Sequence, residues 1–201
     1  MRPLTYERLE NLYTHSCGYT TTRELLAQGL TNRQIAALLQ EQYLEKIANG
    51  YFWMPRCGRQ KPADYKPVEV CFVNHDAVIV ADSACFYQGF ISVEPPTLSV
   101  GTRRNDRRHM VFPFDTTRHY LAESGYNIDK LKIETEFGDY QVYDIGRSVC
   151  DCIRFRESID THIFDLIIDT YHKELHDRQT RERLLAYARR MKFEDTAKGI
   201  L

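Results

Sequence analysis

The sequence has no apolar run long enough to cross a bilayer, which argues against a membrane-spanning helix. Its first residues, MRPLTYERLENLY, are charged and amphipathic and lack the apolar core of a signal peptide, so a cytoplasmic location is expected. Charge of one sign is missing too. Lys and Arg number 27 against 28 Asp and Glu, a net charge of −1, so any nucleic-acid face has to be local. The six cysteines (Cys17, Cys57, Cys71, Cys85, Cys150 and Cys152) form no CxxC pair and no CxxC…HxxxH spacing, which points to reduced, idle thiols. Cys150 and Cys152 would diverge on a helix. There is no Walker-type loop, no HExxH and no GxSxG. His75-Asp76, Asp82-Ser83 and His109 are not ordered as a triad, and Asp144 and Asp151 suit helix capping better than metal binding. No catalytic residue, cofactor or metal is expected. An apolar fraction of 43% is nevertheless ample for a folded core.

What is present is most informative in LTNRQIAALLQEQYLEKIANGYFWM, Leu30 to Met54, whose period changes midway. Three helices are predicted up to this point. Tyr6–His15 carries Leu9, Leu12 and Tyr13 at helical spacing, with Gly18 as its stop. YTTTRELLAQG starts on threonines and ends at Gly29. Thr31 opens the third, with Gln34 at capping-box spacing and Ile35, Leu38 and Leu39 on its buried face. The short Gly29 turn between the second and third is that of a helix-turn-helix. YLEKIA-NG-YFWM then alternates around Asn49-Gly50, predicting a type I′ hairpin. Helix, helix-turn-helix, hairpin is the element order of a winged helix, here residues 1–55.

PRCGRQKPADYKP supplies a linker over 56–67. Up to Lys61 there are 8 basic against 5 acidic residues, and beyond it 19 against 23, so the basic surplus lies in the first part. Residues 68–201 read as a mixed α/β domain ending in helices, giving an α+β protein overall. A helix from Val68, an apolar piece at Val78–Val80, and a helix capped by Asp82 or Ser83 and stopped by Gly89 are predicted. PPTLSVG, HMVFPF, LKIETEFG and DYQVYD read as strands, the last two joined at Phe137-Gly138-Asp139. From Gly146 the chain turns helical.

In a winged helix the third helix enters the major groove by its N-terminal residues, here Thr31, Asn32, Arg33 and Gln34. Arg matches guanine O6 and N7, and Asn or Gln matches adenine N6 and N7. Ala36 and Ala37 keep the helix slim, while Glu41 would be repelled by phosphates. Lys46, Asn49 and Tyr51 on the hairpin, and Thr21 and Thr22 at the second helix, are candidate wing and backbone contacts, whereas Trp53 suits packing. GTRRNDRRHM concentrates Arg103, Arg104, Arg107 and Arg108 in one loop, suited to phosphates or an acidic partner.

TTTRELLAQGLTNRQIAALLQEQYLEKIANGYFWMP resembles the winged-helix domain of AbiEi-family antitoxins from type IV abortive-infection toxin–antitoxin systems. AVIVADSACFYQGF, PPTLSVGTRR, VYDIGRSVCDCIRFRESID and LLAYARRM continue the likeness over most of the chain. It aligns Arg147, Ser148 and Asp151 with the family's arginine, Ser/Thr and aspartate at the start of a C-terminal helix, although Gly146 stands where that family often has a glutamate. Arg147 and Asp151 are also spaced to form an i, i+4 pair. The resemblance implies a prokaryotic regulator that represses its own operon by binding inverted repeats in double-stranded DNA. It also implies that the C-terminal domain counters a nucleotidyltransferase toxin without a stable complex. The alternative from composition is a protein-interaction adaptor that docks partners through the winged helix and arginine loop.

Overall fold

Two threonines set the helices of the N-terminal third. In the computed structural model, which describes residues 3–13, 16–56, 58–175 and 177–201, α1 spans Pro3–Tyr13, α2 Thr22–Ala27 and α3 Asn32–Gln40. Cys57 and the His15 end of the first predicted helix lie outside the described residues. Thr31 and Gln34 close the expected capping box, and Thr21 closes a second one with Glu24. Each box satisfies backbone N–H groups that the first helical turn leaves without partners. Leu25, Leu30, Ile35 and Leu38 bury the inner faces of these helices against Leu44, Phe52 and Met54.

A three-stranded antiparallel sheet accompanies them, ordered β1 (Tyr19–Thr21), β3 (Tyr51–Trp53), β2 (Glu45–Ala48). β1 was not foreseen, because its threonines also serve the start of α2. The hairpin forms at Asn49-Gly50, but only Gly50 has positive φ, at +83°, so the turn is not type I′, which needs both central residues there. A register shift between Lys46 and Ala48 accompanies it. Gly18 has a packing role beyond stopping a helix. With φ at +93°, its absent Cβ would stand 2.3 Å from the Trp53 ring.

The second sheet has five strands in the order β6 (Thr116–Leu121), β5 (Leu98–Arg103), β4 (Val78–Ile79), β8 (Tyr140–Tyr143), β7 (Lys130–Ile133). It is mixed: β5–β6 and β4–β8 run parallel, and the other two pairs antiparallel. Val78, Ile79 and Val80 are buried because the sheet is covered on both faces. Val78, Val80, Leu121 and Tyr143 face one core and Ile79, Val100 and Val142 the other.

The first core is closed by α5 (Ala81–Tyr87), α7 (Ile145–Arg154), α8 (Thr161–Glu174), α9 (Arg178–Arg190) and α10 (Glu194–Lys198). On the other face lie α4 (Tyr65–Val73) and the N-terminal hairpin. Tyr19 and Tyr51 pack on Phe72 of α4, with ring centres 5.5 and 5.4 Å apart, and Trp53 on Phe137 at 6.1 Å. Lys61 bridges Glu45 of β2, at 2.5 Å, and buried Glu69 of α4, at 2.8 Å. With α6 (Glu123–Tyr126), the described residues hold ten α-helices and two sheets, consistent with the expected α+β class.

Several local expectations need correction. HMVFPF is not a strand. It belongs to the connection between parallel β5 and β6, which has to return the chain along the length of the sheet. Its alternation arises because Met110, Phe112 and Phe114 pack on the second core from that connection. The strand is β6, whose Thr, Arg, His and Tyr residues suit an edge position and carry little apolar signal. α5 is not capped by Asp82 or Ser83, since its N-cap is Val80, with no side-chain bond. Ser83 instead accepts a hydrogen bond from the Ser99 N–H at 2.8 Å, fastening α5 to β5. Pro67 lies inside the first turn of α4, where no backbone donor is required.

Candidate nucleic-acid interface

The four residues proposed at the start of α3 divide into two pairs. Thr31 accepts from the Gln34 N–H at 3.3 Å, and Gln34 Oε1 accepts from the Thr31 N–H and hydroxyl, both at 2.9 Å. Gln34 Nε2 donates to Thr5 of α1 at 3.2 Å. Thr31 and Gln34 therefore fix where α3 begins and how it sits on α1. Asn32 and Arg33 are exposed and form no hydrogen bond or ion pair among the described residues.

Spacings of three and four residues place them on one stripe with exposed Ala36 and Gln40, opposite buried Ile35 and Leu38. The stripe is polar at both ends and slim in the middle. Gln40 was not anticipated, although its place eight residues after Asn32 could have shown it. Glu41 lies at the opposite end of α3, where it accepts from the Tyr6 hydroxyl at 2.8 Å. That bond, reinforced by partial desolvation, pushes the Tyr6 phenol up to about 12.

A second group gathers where α2 meets the hairpin tip. The Thr22 N–H donates to the Gly50 carbonyl at 2.8 Å, while Thr21 is occupied by its capping box with Glu24. Thr21, Arg23, Gly50, Tyr51 and His75 line one groove there. Asn49 and Lys46 are exposed along the hairpin, whereas Tyr51 is half-buried and meets Phe72 edge-on. Exposed Arg23 was missed, although it directly follows the threonines that drew notice.

The arginine loop is divided as well. Arg103 ends β5, pairs with Glu123 and lies over the Tyr126 ring at 4.2 Å. Arg108 pairs with Asp76 at 2.7 Å and donates to Asn74. Arg104 and Arg107 are exposed and form no ion pair among the described residues. Because Arg108 holds the Asn74–Asp76 turn and His75 of that turn lines the groove beside Gly50 and Tyr51, the loop and the hairpin tip border the same turn.

The imagined triad is not assembled. Asp82 accepts from the Ser83 N–H at 2.8 Å, and Ser83 is bonded to β5. Among the described residues, no three His, Cys, Asp or Glu side chains converge as metal ligands do. Asp144 is the N-cap of α7 and accepts from the Arg147 N–H at 2.7 Å. Arg147 and Asp151 form the i, i+4 pair, at 3.0 Å and wholly buried. Among the described residues, no helix is long and apolar enough to cross a membrane.

No family model matches the chain, and no curated protein matches it with significance. Among solved structures it is similar to the RV2827C protein from Mycobacterium tuberculosis. The TM-score is 0.58 at 11% identity, over 100% of this chain and 82% of that one. At that identity the likeness concerns the fold alone.

Proposed function

We propose that residues 1–55 act as a winged helix that binds double-stranded DNA, and that the protein is a transcriptional regulator. The observation that carries this reading is the exposed stripe of α3. Once the capping box has consumed Thr31 and Gln34, the side chains of Asn32 and Arg33 remain unbonded among the described residues, beside slim Ala36. Arg33 is the guanine reader and Asn32 the adenine reader, with Thr31 and Gln34 positioning both. Lys46 and Asn49 on the hairpin and Arg23 on α2 hold the backbone, and Arg104 and Arg107 extend the basic surface. Tyr51 and Trp53 serve packing.

The test is binding to the DNA upstream of the protein's own gene against scrambled duplex, at two salt concentrations. Wild type should prefer the upstream fragment and weaken with salt. Arg33→Ala should lose on the order of 1–3 kcal/mol and part of its sequence preference. An Arg33→Ala protein indistinguishable from wild type on every duplex would refute the recognition-helix assignment.

The resemblance to AbiEi antitoxins extends the proposal to autorepression and to countering a nucleotidyltransferase toxin. Co-expression with a nucleotidyltransferase encoded next to the gene checks this part, which predicts restored growth.

A further inference from the structure

A cluster of basic side chains lies apart from the α3 stripe and the hairpin groove. Arg147 of α7 is completely buried, and its guanidinium is held at two of three nitrogens. Nε donates to Asp151 at 3.0 Å, and Nη1 donates to the Gly125 carbonyl at 2.9 Å. The Tyr143 ring, 4.3 Å from the guanidinium carbon, fixes its plane. Nη2 is buried and has no hydrogen-bond partner among the described residues. Gly125 lies beside that nitrogen, where a Cβ would sit at an ordinary contact distance of 3.7 Å.

Arg147 lines a cavity of about 370 Å³, a size typical of small-molecule sites. The other charged lining groups are Arg104, Arg154, Arg190 and Lys192, and among the described residues no carboxylate lines it. None of these four forms an ion pair among the described residues. Arg154 donates to Met191 Sδ, at 3.3 Å. Asp151 offsets the charge of Arg147, so the rim carries four uncompensated cations above a fixed, unsatisfied N–H donor. Ser124 adds a neutral polar residue to the lining, and Leu121, Ala122, Gly125 and Met191 complete it.

We propose that this cavity binds the phosphate group of a small molecule, with Arg147 Nη2 as the buried donor and Arg154, Arg190 and Lys192 closing around the oxygens. Arginine donors match phosphate oxygens in geometry, and a doubly charged anion suits a rim of several cations better than a carboxylate does. Arg104 is the one residue shared with the basic surface of the DNA-binding reading; Arg147, Arg154, Arg190 and Lys192 take no part in that reading, and none of the site's residues lies on α3 or the hairpin.

Calorimetric titration of the full-length protein with inorganic phosphate, AMP and ATP in separate runs tests it. Saturable one-to-one binding is expected for at least one of them. An Arg154→Gln/Arg190→Gln double variant should bind at least tenfold more weakly while keeping its circular dichroism spectrum and unfolding temperature. Both positions are exposed, so the test does not depend on Arg147 variants folding. Arg33→Gln should leave the affinity unchanged, which separates this site from the DNA face. Phosphate binding as tightly as the nucleotides would identify free phosphate as the ligand, and tenfold tighter nucleotide binding would identify a phosphate ester. No saturable binding, or equal affinity in the double variant, would overturn the proposal. So would loss of duplex affinity in the double variant without any small-molecule binding, which would make the cluster a nucleic-acid contact.

Discussion

His119 offers a quantitative check on the packing between β6 and α7. Its ring is buried and stacks on Phe155, with centres 4.1 Å apart and planes 24° from parallel. Nε2 has no partner. Burial, aided by the nearby positive charge of Arg154, lowers its pKa from the ordinary 6.5 to about 4. Because the folded-state value lies below the unfolded one, the unfolded chain takes up a proton between these values and the folded chain does not. Stability contributed by neutral His119 is therefore intact above about pH 7 and is lost as pH falls from 6.5 towards 4. Integrating the linkage to pH 5 gives a loss of about 2 kcal/mol.

Urea unfolding of wild type and His119→Leu at pH 7.5, 6 and 5 measures it. Glu69 and Asp82, whose pKa values burial raises, push stability the other way on acidification. They do so equally in both proteins, so the difference between the two isolates His119. That difference should shift by about 2 kcal/mol against wild type between pH 7.5 and 5. A difference that stays constant across the range would refute the buried, unpartnered placement of the ring.

Two further substitutions probe the frame that carries the candidate sites. Thr31→Ala should cost roughly 0.5–2 kcal/mol by removing the cap of α3, while Thr31→Ser should cost little, as measured by urea midpoint. Equal losses for both would mean that the hydroxyl does not cap. Gly101→Ala should destabilise by about 1–3 kcal/mol, because the added methyl would stand 2.7 Å from Val80 Cγ1 and 2.8 Å from Leu121 Cδ1. A loss below about 0.5 kcal/mol in thermal unfolding would show that β4, β5 and β6 are less tightly packed than described.

Elements whose cause is local were legible in the residues. Thr31 and Gln34 announced their capping box, Gly29 the end of α2, Asn49-Gly50 a hairpin, and Phe137-Gly138-Asp139 the turn between β7 and β8. The buried face of α3 followed from the spacing of Ile35 and Leu38, because an amphipathic stripe depends on period alone. Segments whose conformation depends on a distant partner were not legible. β1 is three residues long and exists through pairing with β3, and β6 is a polar edge strand. Met110, Phe112 and Phe114 alternate like a strand but fill a core from a crossover.

The candidate sites divide along the same line. The order of residues along the chain was enough to place a threonine cap at the start of α3, with Asn32 and Arg33 in its first turn, since spacing and capping chemistry act over four residues. It also brought four arginines into one loop. The folded arrangement, by contrast, is what holds Gln34 by Thr5, commits Arg103 and Arg108 to Glu123 and Asp76, and packs Tyr51 on Phe72. It alone assembled Arg104, Arg147, Arg154, Arg190 and Lys192 around one cavity, from the end of β5, both ends of α7 and the end of α9. Charge at a point in space is a sum over whatever the fold brings near, and the order of residues along a chain does not contain that sum.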